Sequence, residues 1–202
     1  MPDYSYECKY QDEGYAVVCG TDEAGRGPLA GPVCAAAVIL PDGLYIEGLN
    51  DSKKLTEKKR EKLFDVICEN AVSYGIAYAS VEEIDTMNIL NASQLAMRRA
   101  VAMLDPRPDL VIVDGNIARD FEMKAVPLIK GDSISMSVAA ASILAKVSRD
   151  RVCLELDKEY PQYMLAKHKG YGTRLHMDLI KKHGPSPIHR RTFLKFLDKN
   201  DV

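Results

Sequence analysis

The sequence predicts a mixed-sheet α/β domain followed by a helical C-terminal extension. Three features carry that expectation. Apolar runs of strand length alternate with segments of helical periodicity, one run (Val33 to Leu40) is apolar at every position, and acidic residues recur where the runs end. A run without alternation is a strand buried on both faces, with helices above and below the sheet. The division is placed at residue 160, with the α/β domain over 1–160 and the extension over 161–202.

Residues 1 to 13 are polar and read as a loose lead-in. Tyr15 to Thr21 forms a first strand and runs into Asp22 and Glu23, then the turn Gly25-Arg26-Gly27. Adjacent side chains on a strand face opposite ways, so the two acids address one point only if the chain bends there. Val33 to Leu40 is a second strand, closed by Pro41-Asp42-Gly43. Asn50 to Leu55 is a polar loop leading into a helix from about Thr56, with Leu63, Ile67 and Ala71 on one face. Val72 to Ser80 is a third strand. Asn88 to Leu104 is a long helix with Leu90, Met97, Val101 and Leu104 on one side, ended by Pro106 and Pro108. Asp109 to Val113 is a β-branched strand that exits into Asp114-Gly115-Asn116, and Ala125 to Ile129 is a fifth strand that exits into Lys130-Gly131-Asp132. A helix from Ser133 to about Asp157 carries Met136, Ala140, Ile143, Val147 and Leu154 on one stripe, which places Asp132 at or beside its N-cap. In the extension, His176 and His183 lie on a helix that stops at Gly184-Pro185, and Arg190 to Phe193 begins a short last helix with its basic side toward substrate.

Each acid has an ordinary reading. Asp22-Glu23 before a glycine turn can be a solvated loop, Asp114-Gly115 a plain turn and Asp132 a cap. Together they fall at strand exits or a helix start that the alternation brings to one sheet edge, where open α/β sheets bind ligands. Carboxylate oxygens without a histidine or cysteine cluster suit hard cations, Mg²⁺ or Mn²⁺. Two such ions can activate a water and stabilise the leaving oxygen of a phosphodiester, so the chemistry expected is metal-assisted phosphodiester hydrolysis. Arg26 between glycines can grip a phosphate. Lys53, Lys54, Lys146 and Arg149 can be phosphate contacts or solvated charges, and Tyr171 can meet substrate or pin its own loop.

Composition bounds the partners. The 202 residues carry 27 basic and 29 acidic side chains, a net charge of −2, yet the stretch from Lys167 through Lys169, Arg174, Lys181, Lys182, Arg190, Arg191, Lys195 and Lys199 is strongly basic and suits a polyanion. Five scattered cysteines without a C-x-x-C pair argue against structural zinc and a disulfide framework; Cys19, Cys34 and Cys68 read as small buried hydrophobes. The four histidines fit no metal spacing and read as structural or surface groups. With no basic-then-apolar leader and no apolar run of bilayer length, the expectation is a cytoplasmic protein without a membrane partner. No oligomerisation seam is evident, so a monomer is expected.

The segments Gly20–Pro32, Leu49–Leu55, Asp114-Gly-Asn116, Lys130-Gly-Asp132, Ala139–Val147 with Arg149-Asp150, and His168-Lys-Gly-Tyr171 occur in the order of, and together resemble, the ribonuclease HII family. The resemblance spans nearly the whole chain. It implies a ribonuclease H-like fold with Asp22, Glu23, Asp114 and Asp132 as metal-binding catalytic acids. It also implies cleavage of the RNA strand of RNA/DNA hybrids and of ribonucleotides embedded in duplex DNA, leaving 3′-hydroxyl and 5′-phosphate ends. Gly25, Arg26 and Gly27 are then expected at the ribose 2′-hydroxyl of the RNA-to-DNA junction and Tyr171 at the neighbouring sugar, with the extension contributing to substrate binding. The rivals are a DNA nuclease or recombinase on the same fold, and a non-catalytic nucleic-acid-binding module.

Overall fold

Val18–Ala24 (β1) is the strand against which everything else is set. In the computed structural model, which describes residues 2–50 and 52–197, it lies at the centre of a five-stranded sheet. Asp51 of the polar loop and Lys199 of the basic stretch lie outside the described residues. The other strands are β2 (Val33–Ile39), β3 (Ser73–Ala79), β4 (Leu110–Asp114) and β5 (Lys124–Leu128), in the order β3-β2-β1-β4-β5. β1 pairs antiparallel with β2 and β2 with β3, whereas β1–β4 and β4–β5 are parallel, so the sheet is mixed as expected. Pro127 sits on β5, the edge strand, where a missing ladder donor costs least.

The helices are α1 (Ser5–Asp12), α2 (Glu57–Asn70), α3 (Val81–Met87), α4 (Ile89–Val101), α5 (Met136–Glu159), α6 (Leu165–His168) and α7 (Arg174–His183). Strand alternation sorts β2 between two layers. Cys34, Ala36 and Val38 face α5 and α2, while Val33, Ala35, Ala37 and Ile39 face α4. That double burial is why the run shows no polar alternation. α5 is buried at nearly every position from Met136 to Asp150, and Ala139, Ala140 and Ala141 let it approach the equally small Ala36 face. Ile143 and Leu144, both fully buried, each contribute on the order of 1.5–3 kcal/mol of apolar transfer there.

Several expectations need correction. Residues 1–13 are not a loose lead-in. α1 forms because Glu7 is buried with its Oε1 accepting from Ser135 Oγ (2.6 Å), Ser137 Oγ (2.7 Å) and Ser137 N (3.0 Å), so one carboxylate serves the first turn of α5. The α5 cap is Ser135, whose hydroxyl accepts from Val138 N; Asp132 lies in a separate 3-10 turn three residues earlier and is not the cap. α3 was not expected, although Ser80 and Glu83 form a capping box ahead of it. The last helix is only the 3-10 turn Arg191–Phe193. Arg190, expected to face substrate, is fully buried.

The segments after residue 160 pack a small core of their own, Tyr163, Leu165, Ile180, Ile188, Leu194 and Leu197, onto Leu29 and Ala30 of the loop between β1 and β2. Beneath it lie three buried histidines whose tautomers follow from their partners. His168 Nδ1 accepts from Gly170 N, so its Nε2 donates to Tyr163 O (2.9 Å). His189 Nδ1 accepts from Ser186 N, so its Nε2 donates to His176 Nε2 (3.2 Å), and His176 Nδ1 donates to Tyr171 O (3.0 Å). The histidines are therefore structural, except His183, which is exposed.

Burial, with repulsion from His168 on His176 and from His176 on His189, pushes His176 and His189 down to about 4 from 6.5. The sign follows: between those values the unfolded chain holds more protons than the folded one, so stability is present above pH 6.5 and is lost as pH falls toward 4. We expect both rings to stay neutral at pH 5 in an NMR titration, with the urea midpoint dropping over that interval. Titration of either ring near 6.5 would contradict the dry, neutral cluster.

Candidate active site

β1 carries both of its acids within the strand rather than past its end. It stays paired with β2 through Ala24, whereas its parallel pairing with β4 stops at Thr21–Val113. No bend is required, because beyond the end of β4 the β1 edge stands open and both acids reach that space. Strand parity puts Asp22 on the α5 face, where Ser142 of α5 hydrogen-bonds it. Asp114, the last residue of β4, has the same parity as Leu110 and Ile112 and so shares that face. Asp132 follows from the far end of β5: Lys130 adopts a left-handed conformation (φ 60°) that turns the chain back, and the Asp132 amide donates to Asp114 Oδ1 (3.4 Å). Gly20 permits the packing behind, since a Cβ there would collide with the Ser137–Val138 backbone.

The four predicted acids are thus brought to one edge, with Asp22 and Asp132 only 4% and 6% exposed. Burial, then the charges of Glu23 and Asp114, raise Asp22 well above the usual carboxylate range. Glu23 is also raised, chiefly by burial; Arg26 opposes the shift and Asp114 adds to it. Arg26 Nη1 lies 3.4 Å from Glu23 Oε1, and Lys53 Nζ 3.8 Å from Asp132 Oδ2. Lys53 thus lies beside the acids, a placement the sequence reading of a phosphate contact or a solvated charge did not include.

Among the described residues no three His, Cys, Asp or Glu side chains are already gathered tightly enough to enclose an ion. The donor set still fits a hard divalent cation: it consists of oxygens alone, and buried carboxylates that raise one another's proton affinity gain from any cation placed between them.

The substrate-side candidates meet as well. Tyr171 is 44% exposed, its ring edge would lie 3.8 Å from a Cβ on Gly27, and Lys146 Nζ and Arg149 Cζ stand 6.0 and 5.9 Å from its ring centre. Arg149 is neither phosphate contact nor solvated charge. It is buried and donates to Pro32 O, Lys169 O and Ala30 O, while Lys146 pairs with Asp150 at 2.7 Å. The contributions of Ser142, Arg149 and Arg190 could not be read from the sequence. A buried arginine whose partners are carbonyls leaves no pattern, and Arg190-Arg191 looks like any basic surface pair.

A mixed sheet in this order, crossed by one buried helix and bearing carboxylates on β1 and β4, is an arrangement of the ribonuclease H class. The family model described as Ribonuclease HII matches residues 19–196. A relative named Ribonuclease HII, from Ruminiclostridium cellulolyticum, is 56% identical over 191 residues, 95% of this chain and 75% of its own. The crystal structure of ribonuclease H2 from Pyrococcus horikoshii superposes with a TM-score of 0.71 at 30% identity, covering 87% of this chain and 93% of that one. Bst-RNase HIII in complex with Mn²⁺ shares the fold (TM-score 0.69, 20% identity, 88% and 67% covered). The chain belongs to the ribonuclease HII family, whose members are ribonucleases H dependent on a divalent metal.

Proposed function

We propose that this protein hydrolyses the RNA strand of RNA/DNA hybrids and cuts at single ribonucleotides in duplex DNA, leaving 3′-hydroxyl and 5′-phosphate ends. The observation that carries the reading is the convergence of Asp22, Glu23, Asp114 and Asp132 at one sheet edge, joined to the Gly25–Gly27 turn through the Arg26–Glu23 ion pair. The four acids would hold Mg²⁺ or Mn²⁺. Bound ions would supply an activated water and a counter-charge for the leaving oxygen. The Mn²⁺ complex of Bst-RNase HIII supports that choice of ion by analogy of fold.

The chain's own residues do the rest. Asp22, packed under Ser142, and Asp132, held by its turn, keep their oxygens at fixed places, so little reorganisation is needed when substrate arrives. The turn and Tyr171 form a surface that can meet a ribose: backbone amides reach a 2′-hydroxyl, which both donates and accepts, and the exposed ring can lie against the adjoining sugar. The basic stretch of the extension would follow the duplex phosphates. We place the enzyme as a monomer in the reduced interior of the cell, where its duplex substrate is found and where its cysteines, which are free, stay reduced.

The test compares an all-DNA duplex with the same duplex carrying one ribonucleotide, under Mg²⁺ and under Mn²⁺. Cleavage beside the ribonucleotide alone is expected. Equal cutting of both would make the enzyme a DNA nuclease, and metal-dependent binding with no product would make it a binding module.

A further inference from the structure

Two arginines far apart in the chain, Arg149 of α5 and Arg190 of the extension, are buried side by side at 1% and 0% exposure. Buried cations are normally matched by carboxylates, because an unpaired charge is expensive to desolvate. Among the described residues neither forms an ion pair. Every hydrogen bond they donate goes to a main-chain carbonyl, and all but one of those carbonyls belong to the segment Gly25–Pro32. Arg190 Nη2 donates to Gly25 O (2.7 Å) and Pro32 O (3.1 Å), Nη1 to Arg26 O (3.1 Å) and Nε to Gly31 O (2.9 Å). Burial and the neighbouring Arg149 lower Arg190 to about 9, which leaves it charged at neutral pH.

The consequence is geometric. A trans peptide is planar, so the N–H of one residue points away from the carbonyl of the residue before it. With the Gly25 and Arg26 carbonyls drawn inward, the Arg26 and Gly27 amides are turned outward. Arg26 and Gly27 are both exposed, and neither amide has an acceptor among the described residues.

We propose that Arg190, backed by Arg149, is the positioning residue for ribose recognition: it fixes the Arg26 and Gly27 amides as two outward donors for the 2′-hydroxyl. This rests on the reading that the Gly25–Gly27 turn meets the RNA-to-DNA junction. The guanidinium is needed for its planar fork of five donors, which holds neighbouring carbonyls at once; an ammonium has the charge without the fork. A loop that binds ground and transition states alike sets KM more than kcat.

The experiment measures steady-state cleavage of a duplex with one ribonucleotide by Arg190→Lys and Arg190→Gln. The expected result is a KM raised about tenfold or more with kcat within about threefold. A purely structural role would instead reduce the active fraction, lowering kcat at unchanged KM; that outcome, or unchanged kinetics, overturns the proposal. Should neither variant fold, the unaltered protein decides. By NMR hydrogen exchange in EDTA, the Arg26 and Gly27 amides are expected to exchange freely alone, to be protected by the ribonucleotide duplex, and to stay unprotected with its all-DNA counterpart. Protection in the free protein, or none in the ribonucleotide complex, overturns it. If the wild-type enzyme cuts all-DNA duplex equally well, the reading beneath the proposal fails, which is a separate and recognisable result.

Discussion

Replacing Asp22 by asparagine is expected to remove turnover while making the fold more stable. Asp22 is 4% exposed and is raised well above the usual carboxylate range by burial and by Glu23 and Asp114. A carboxyl whose folded pKa exceeds its unfolded value gives up stability as pH rises through that value, so at neutral pH the ionised group strains the protein. Asparagine is isosteric, keeps an oxygen for the Glu23 amide now bonded to Asp22 Oδ1 at 2.7 Å, and carries no charge. A gain of order 1 kcal/mol, or about 2–4 °C in thermal midpoint, is expected. Turnover should fall by roughly 10³-fold or more, about 4 kcal/mol of transition-state stabilisation. Mg²⁺ should raise the midpoint of the wild type by relieving the same repulsion and have less effect on the variant. Scanning calorimetry with and without Mg²⁺ reads both; an Asp22→Asn protein that turns over normally, or melts well below wild type, contradicts this account.

Alanine at Gly25 and at Gly27 should have opposite consequences. Gly25 has φ +102°, and a Cβ there would collide with the Arg149 guanidinium. The strained backbone and overpacking together should cost about 2–4 kcal/mol and lower the midpoint by roughly 5–15 °C. Gly27 has no left-handed φ, and its added Cβ would touch only Tyr171, at an ordinary 3.8 Å. The free protein has room for that methyl, so the midpoint should move by no more than about 1–2 °C. The methyl would nevertheless stand on the exposed surface beside Tyr171, where the proposed reading seats a sugar, and kcat/KM on a single-ribonucleotide duplex should drop about 10–100-fold. Thermal melts and initial rates on both variants check the pair. If Gly27→Ala cleaves normally, the turn is not where substrate is read.

The five strands and the acid edge were legible because each rests on a local signal: apolar runs of strand length, three of which end at or beside a carboxylate. Asp114 illustrates this, closing Leu-Val-Ile-Val as the last residue of β4. What escaped was set by distant contacts. Asp132 looked like a helix cap because the serine that takes that role stands only three residues later. α1 looked like a polar lead-in because Glu7 is satisfied by Ser135 and Ser137, some 130 positions away. Arg149 looked like a solvated charge because its residue type suggests one, whereas α5 is enclosed nearly all round from Met136 to Asp150.

Arg190 follows the carbonyls it binds by 158 to 165 residues. A ribosome therefore exposes all four acids and the whole sheet before it delivers the guanidinium that shapes the turn at residues 25–27. On the proposed reading, the acids are made ahead of the contacts that shape the turn, and contacts of such long span form slowly. Pulse-labelling during refolding should find the Leu29 and Gly31 amides, which donate to Gly170 O and Ile188 O, among the last to be shielded.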